Sequence, residues 1–212
     1  MRSAGMRMAL SGVITLLAVS TAAADSAYFS VKGGAFLPSG KEHGTANSLK
    51  SFDTGYAAEV AFGYRPESYA ALELGTGVYS ASGTVTDSVA RSEKTLYGVP
   101  VTLTAKAILE LEKLELFAGA GAGYYFTFID QKLSFTNGGI APVDESSHGS
   151  ALGYHLVAGG DLKLSENFRL GADFKWFSVK PDLELTDAQN VKKSSSWDLG
   201  GTTVSLGFKY LY

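Results

Sequence analysis

LFAGAGAGYYFTF, Leu116 to Phe128, carries an apolar residue at every second position. Leu116, Ala118, Ala120, Ala122, Tyr124, Phe126 and Phe128 share one face of an extended chain, and Gly119, Gly121, Gly123 and Thr127 share the other. A helix over the same residues would hold its three interior glycines at a cost of about 1 kcal/mol each. A period of two with a glycine-lined face reads instead as a strand whose small side looks into a crowded interior.

The same alternation recurs on both sides of this run, which extends over Glu115–Ile129. It spans Ala27–Leu37, Asp53–Tyr64, Tyr69–Ser80 and Leu96–Leu109 before it, and Ala151–Lys163, Phe168–Ser178 and Thr202–Tyr212 after it. In the last, Val204, Leu206, Phe208, Tyr210 and Tyr212 lie opposite Thr203, Ser205, Gly207 and Lys209. The links between runs alternate in length. Residues 38–52, 81–95, 130–150 and 179–201 are long and polar, whereas 65–68, 110–114 and 164–167 are short. Short turns alternating with long loops, on strands of the ~9–11 residues a tilted membrane crossing needs, predict an all-β fold. That fold is an eight-stranded antiparallel up-and-down transmembrane β-barrel. Pro100 falls inside the fourth run, where a missing N–H predicts either a bulge or a strand that begins at Val101.

The bland alternative is a secreted β-sandwich, which alternates equally well. Three features weigh against it. The non-greasy face is small residues plus a few charges, and the links alternate in length. Aromatic residues also gather at both strand ends: Phe62, Tyr64, Tyr69, Phe168, Tyr210 and Tyr212 at the short-turn end, Phe126, Phe128, Tyr154 and Trp176 at the other. Two belts suit two membrane–water interfaces.

Composition narrows the function. The chain has 212 residues, 45% hydrophobic and 18% charged, with no cysteine, so disulfides and thiolate metal sites are excluded. Arg2 and Arg7, the apolar run Met8–Val19 and the small residues Ala22 and Ala24 read as a cleavable export signal over residues 1–24, leaving 25–212 as the barrel domain. Loss of two arginines leaves 16 basic against 21 acidic residues, a net charge of −5, which gives no footing for nucleic acid.

VSLGFKYLY (Val204–Tyr212), YGVPVTLTAKAIL (Tyr97–Leu109) and DLKLSENFRLGADFKWFSVKPDLEL (Asp161–Leu185) resemble the small eight-stranded outer-membrane barrels of Gram-negative bacteria, the OmpA-like and OmpW-like group. The resemblance implies a place in the cell outer membrane among lipid and lipopolysaccharide. It also implies Phe208, Tyr210 and Tyr212 as the signal read by the barrel-assembly machinery; a monomer is the default for a chain of this size. It places a proline at the opening of the fourth strand. Nothing follows Tyr212 here, so the peptidoglycan-tethering activity of full-length OmpA is not expected.

Parity turns a set of polar residues inward: Lys32, Glu59, Glu73, Lys106, His155, Asp161, Arg169, Asp173, Lys175 and Lys209. Unpaired charges at that depth cost several kcal/mol, so pairing is expected, Lys32 with Glu59, Glu73 with Lys106 and Asp161 with Arg169. In a narrow barrel the near balance of signs predicts a polar plug rather than an ion path.

No catalytic residue, metal site or cofactor is expected. GAGAG stands at strand spacing with no helix after it, unlike a phosphate loop. His43 reads as a solvated loop residue. His148-Gly149-Ser150 resembles the His-x-Ser of outer-membrane lipid A deacylases, but Ala151 stands where that family has asparagine, and Asp182 or Glu184 would have to supply the acid. The loop acids Asp144, Glu145, Asp182, Glu184 and Asp187 read as a solvated face. The expectation is a non-enzymatic barrel with a structural, envelope or surface-contact role carried by its long loops. The alternative is an OmpW-like conduit for small apolar molecules, with Phe36, Tyr79, Leu96, Phe177 and Val179 lining an outer pocket; a lipid A-modifying enzyme is the remaining one.

Overall fold

The computed structural model describes residues 27–42, 52–86, 90–135, 143–186 and 192–212. The export signal, its cleavage site, His43 and Asp187 lie outside them. The strands are β1 (Ala27–Glu42), β2 (Gly55–Glu67), β3 (Ala70–Thr86), β4 (Ala90–Glu110), β5 (Leu114–Phe135), β6 (Val143–Lys163), β7 (Phe168–Val179), β8 (Asp182–Thr186) and β9 (Lys192–Leu211). From β1 to β7 each pairs antiparallel with the next, β7 and β8 both pair with β9, and β9 returns to pair with β1 from Tyr28↔Leu211 to Glu42↔Trp197, which closes the barrel.

β7 and β8 are two halves of one barrel strand. Besides sharing β9, both pair with β6 in a single register, Gly153↔Val179 below the break and His148↔Glu184 above it. The ladder lapses at Lys180-Pro181, where proline has no N–H to give. Eight strands therefore surround the barrel, the smallest common number for a membrane barrel and one whose interior side chains can fill.

Two expectations need correction. The long links are not loops throughout: β4, β5 and β6 run 21, 22 and 21 residues, twice what a crossing requires. A strand outside the bilayer has no reason to keep its outer face apolar. Pro100 neither begins a strand nor makes a bulge. Thr76↔Val101 and Tyr79↔Gly98 lie in the same register on either side of it, and Pro100 itself pairs across to Tyr125 of β5. Its carbonyl points toward β3 and accepts a hydrogen bond of 2.9 Å from the Thr76 hydroxyl, which stands in for the lapsed ladder.

Through the membrane-crossing stretches of the described strands the outward face is the greasy one. Leu103, Leu152, Leu206 and Phe208 are more than half exposed, as are many of their neighbours, while the inward positions between them are buried. In lipid that exposed band is the buried surface, and closure satisfies the backbone without leaving an edge at membrane depth.

Candidate functional site: the filled lumen

The lumen is filled in two layers. The lower layer is ionic. Lys32 reaches Asp173 at 2.8 Å, Glu59 at 3.3 Å and Glu73 at 3.9 Å. Glu73 accepts from Lys106 at 2.6 Å and from the Tyr28 hydroxyl at 2.9 Å, and Lys175 pairs with Glu59. Nearer the short turns, Glu115 gathers Arg65 at 2.8 Å, Lys209 at 3.5 Å and Arg169, and Lys209 also pairs with Asp161. Two aromatic rings are threaded through these charges. The Lys106 ammonium stands 4.7 Å from the Phe117 ring centre, and that of Lys209 stands 4.7 Å from Tyr28. His155 is buried, with Nε2 2.8 Å from the Thr104 hydroxyl.

All ten inward polar residues named from parity thus sit on the lumen side. Lys32–Glu59 and Glu73–Lys106 meet as pairs. Asp161 and Arg169 do not: the register sets Arg169 opposite Lys163 and Asp161 opposite Gly171, so Arg169 turns to Glu115 and Asp161 takes Lys209. Sequence reasoning misses Arg65 and Glu115. Arg65 reads as a turn residue although it shares parity with Glu59 and Gly63, and Glu115, wholly buried, shares parity with Gly119. With them the network holds Lys32, Arg65, Lys106, Arg169, Lys175 and Lys209 against Glu59, Glu73, Glu115, Asp161 and Asp173. Its signs nearly cancel, so each buried charge has a partner of opposite sign within reach.

The upper layer is aromatic. Phe177 is its hub, with ring centres 5.8 Å from Phe36, 5.1 Å from Tyr79 and 5.4 Å from Tyr125. Ala81, Leu96, Ile129, Val179 and Leu199 complete the cluster, and Phe52 packs on it. The five residues expected to line an outer pocket are therefore together, but as a packed plug. The inward glycines are seats for these rings. A Cβ on Gly98 would fall within the Tyr79 ring, one on Gly201 within Phe36, and one on Gly63 within Tyr28. Parity alone cannot reveal that a glycine faces a particular ring on the next strand.

Between the layers lies a cavity of about 40 Å³, room for about three waters. Tyr79, Tyr125 and Phe177 roof it, Lys32, Glu59, Asp173 and Lys175 floor it, and it reaches the wall at Gly77, Val78 and Pro100, where the β3–β4 ladder lapses.

On the outer surface, His148 and Ser150 face outward, and Glu184 is the backbone partner of His148 on β8. The Ser150 hydroxyl lies 2.8 Å from that of Tyr124, not on the histidine. The side chains of Asp144, Glu145, Asp182 and Glu184 lie outside the described residues. Among the described residues no three of His, Asp and Glu converge as a metal site would require. Phe208, Tyr210 and Tyr212 stand exposed on the outer face at the end of β9, with Tyr210 and Tyr212 edge to face at 5.3 Å.

Comparison with known proteins agrees with this geometry. The model of the outer membrane protein beta-barrel domain matches residues 9–210. The outer membrane protein OprG from Pseudomonas aeruginosa superposes with a TM-score of 0.57 at 13% identity, over 89% of this chain and 97% of that one. A major outer membrane protein from Thermus thermophilus gives 0.52 at 14% identity, over 88% and 100%. Neisserial surface protein A gives 0.50 at 14% identity, over 87% and 97%. At such identities the likeness is one of fold. No curated protein sequence matches significantly.

Proposed function

The chain belongs to the outer membrane protein beta-barrel domain family, and from that membership we propose that it serves as a sealed, non-enzymatic anchor in the outer membrane. In this reading it is a monomer held by lipid and lipopolysaccharide. It presents its tall outer strands and loops to the surroundings for an envelope or surface-contact role. Phe208, Tyr210 and Tyr212 serve the barrel-assembly machinery during insertion. One observation carries the reading: two different layers, one of packed rings and one of paired ions, stand in series across the lumen. An ion would have to displace both. Planar-bilayer recording of the purified barrel tests it. The expected trace has no large, long-lived open level; a steady open conductance would refute the sealed lumen.

A second reading, a sideways conduit for small apolar molecules, draws on the cavity that meets the wall at Gly77 and Pro100. It predicts that vesicles with a lipopolysaccharide outer leaflet take up a small apolar solute faster when they carry the barrel. Equal rates with and without protein would remove it.

A further inference from the structure

The outward face of β3 to β6 changes character in three tiers toward its outer end. The first is a row of rings. Tyr97, Phe128 and His148 are register partners on β4, β5 and β6, all exposed, with Phe126 below them. The second tier, two residues further out, is a row of hydroxyls around one carboxylate. Ser82, Thr95, Asp130 and Ser146 are partners on four successive strands. They bond in two pairs, Ser82 with Thr95 at 3.4 Å and Ser146 to Asp130 at 2.9 Å. The third tier is charged. Glu93 and Lys132 are partners, and Arg91 pairs with Glu93 at 3.0 Å on the open surface. Four strands at ordinary sheet spacing make the middle row roughly 14 Å long, room for two linked sugar rings.

The ring row is part of the aromatic belt at the outer membrane–water interface. The hydroxyl row therefore lies where the head groups of the outer leaflet begin, and the charges stand in the hydrated layer above. A glycolipid of that leaflet presents acyl chains, then sugar hydroxyls, then anionic substituents, and the three tiers follow the same order. Asp130 accepts the Ser146 hydroxyl on Oδ1, which leaves Oδ2 for a sugar hydroxyl. Arg91 and Lys132 suit a phosphate, and an exposed ion pair such as Arg91–Glu93 gives up little when its guanidinium turns to one. β2 begins only at Gly55 and β7 stops at Val179, so neither carries this pattern as far out.

We propose that this four-strand face is a binding site for the sugar–phosphate head group of lipopolysaccharide, with Asp130, Ser146 and Thr95 on its hydroxyls and Lys132 and Arg91 on its phosphate. The proposal rests on the anchor reading, which sets the barrel in that lipid, and deepens it by naming the face that holds one molecule in place.

Native mass spectrometry of the whole barrel in detergent tests it, with occupancy followed against the concentration of three probes. They are lipid A with its inner core sugars, the same glycolipid after removal of its phosphates, and phosphatidylglycerol, which has a phosphate but no sugar ring. The unaltered chain should hold one phosphorylated glycolipid more tightly than phosphatidylglycerol. Asp130→Ala should weaken both glycolipids about tenfold, the effect of a hydrogen bond to a charged group, and leave phosphatidylglycerol unchanged. Lys132→Glu should weaken the phosphorylated glycolipid by a similar factor and the dephosphorylated one far less. Ser39→Ala, exposed on β1 away from this face, should alter nothing. Heat-modifiable gel migration verifies that each variant is folded. Glycolipid binding unchanged in both Asp130→Ala and Lys132→Glu overturns the site, as does an equal loss in Ser39→Ala. Phosphatidylglycerol held as tightly as the glycolipid overturns the recognition of sugar. Steady conductance in the bilayer experiment would instead defeat the sealed lumen, whatever lipid the outer face holds.

Discussion

At the residue scale, the inward glycines and the buried ions carry the sharpest consequences. Gly98→Ala sets a methyl into the Tyr79 ring and forces the plug to shift, at about 1–3 kcal/mol. Gly33→Ala adds the same methyl where the nearest atom is the Ala57 carbonyl oxygen, 3.9 Å away, and should leave stability nearly unchanged. Urea unfolding midpoints in lipid vesicles separate the two. Glu115→Gln leaves Arg65, Arg169 and Lys209 around a neutral amide, with an expected loss of about 3–5 kcal/mol. Glu110→Gln, which breaks the exposed 2.6 Å pair with Lys163, should cost under about 1 kcal/mol. Equal losses from the two carboxylate variants would mean that the ionic layer is hydrated rather than sealed. At this scale parity in the sequence already turns Lys32, Glu59, Glu73 and Lys106 inward, and the same parity applied to Arg65 and Glu115 completes the network. Which cation meets which carboxylate is legible for neighbouring strands, as in Lys32–Glu59 and Glu73–Lys106, but not where long side chains reach past their register neighbours, as Arg169 does to Glu115.

At the element scale, both interruptions of the wall are proline effects with different outcomes. Pro100 sits mid-strand with its carbonyl capped by Thr76, and Pro181 divides a strand in two. Pro100→Val restores an N–H facing Gly77. It should slow hydrogen exchange of the neighbouring β3 and β4 amides and raise stability by up to about 1 kcal/mol. Exchange that stays as fast as in the unaltered chain would show that the lapse has another cause. All eight runs are legible in the sequence, since period-two alternation is a direct imprint of one face in lipid and one in protein; that the fourth runs through Pro100 without a bulge is not. How far β4, β5 and β6 continue outside the membrane is not. There the outer face meets water rather than lipid, and the apolar signal that marks a membrane strand disappears although the hydrogen bonds persist.

At the scale of the whole molecule, the outer-membrane barrel follows from one division of labour: lipid covers the outward positions, and the barrel fills itself with rings and ions. Closure through β1 and β9 removes every edge at membrane depth, so the folded barrel should resist detergent at room temperature and migrate differently on gels before and after heating. Loss of that difference in Glu115→Gln, at a temperature where Glu110→Gln keeps it, would locate the ionic layer as a main tie across the lumen. Paramagnetic relaxation of methyl signals in lipid nanodiscs tests the division of labour most directly. A spin label on the lipid chains should broaden Leu74, Leu103, Val204 and Leu206, and a water-soluble gadolinium chelate should leave them untouched. Ile108, Val157, Thr104 and Thr203 should be broadened little by either. Broadening of those inward methyls by the chelate would mean an open, water-filled lumen, and outward methyls untouched by the lipid label would mean that no lipid covers them.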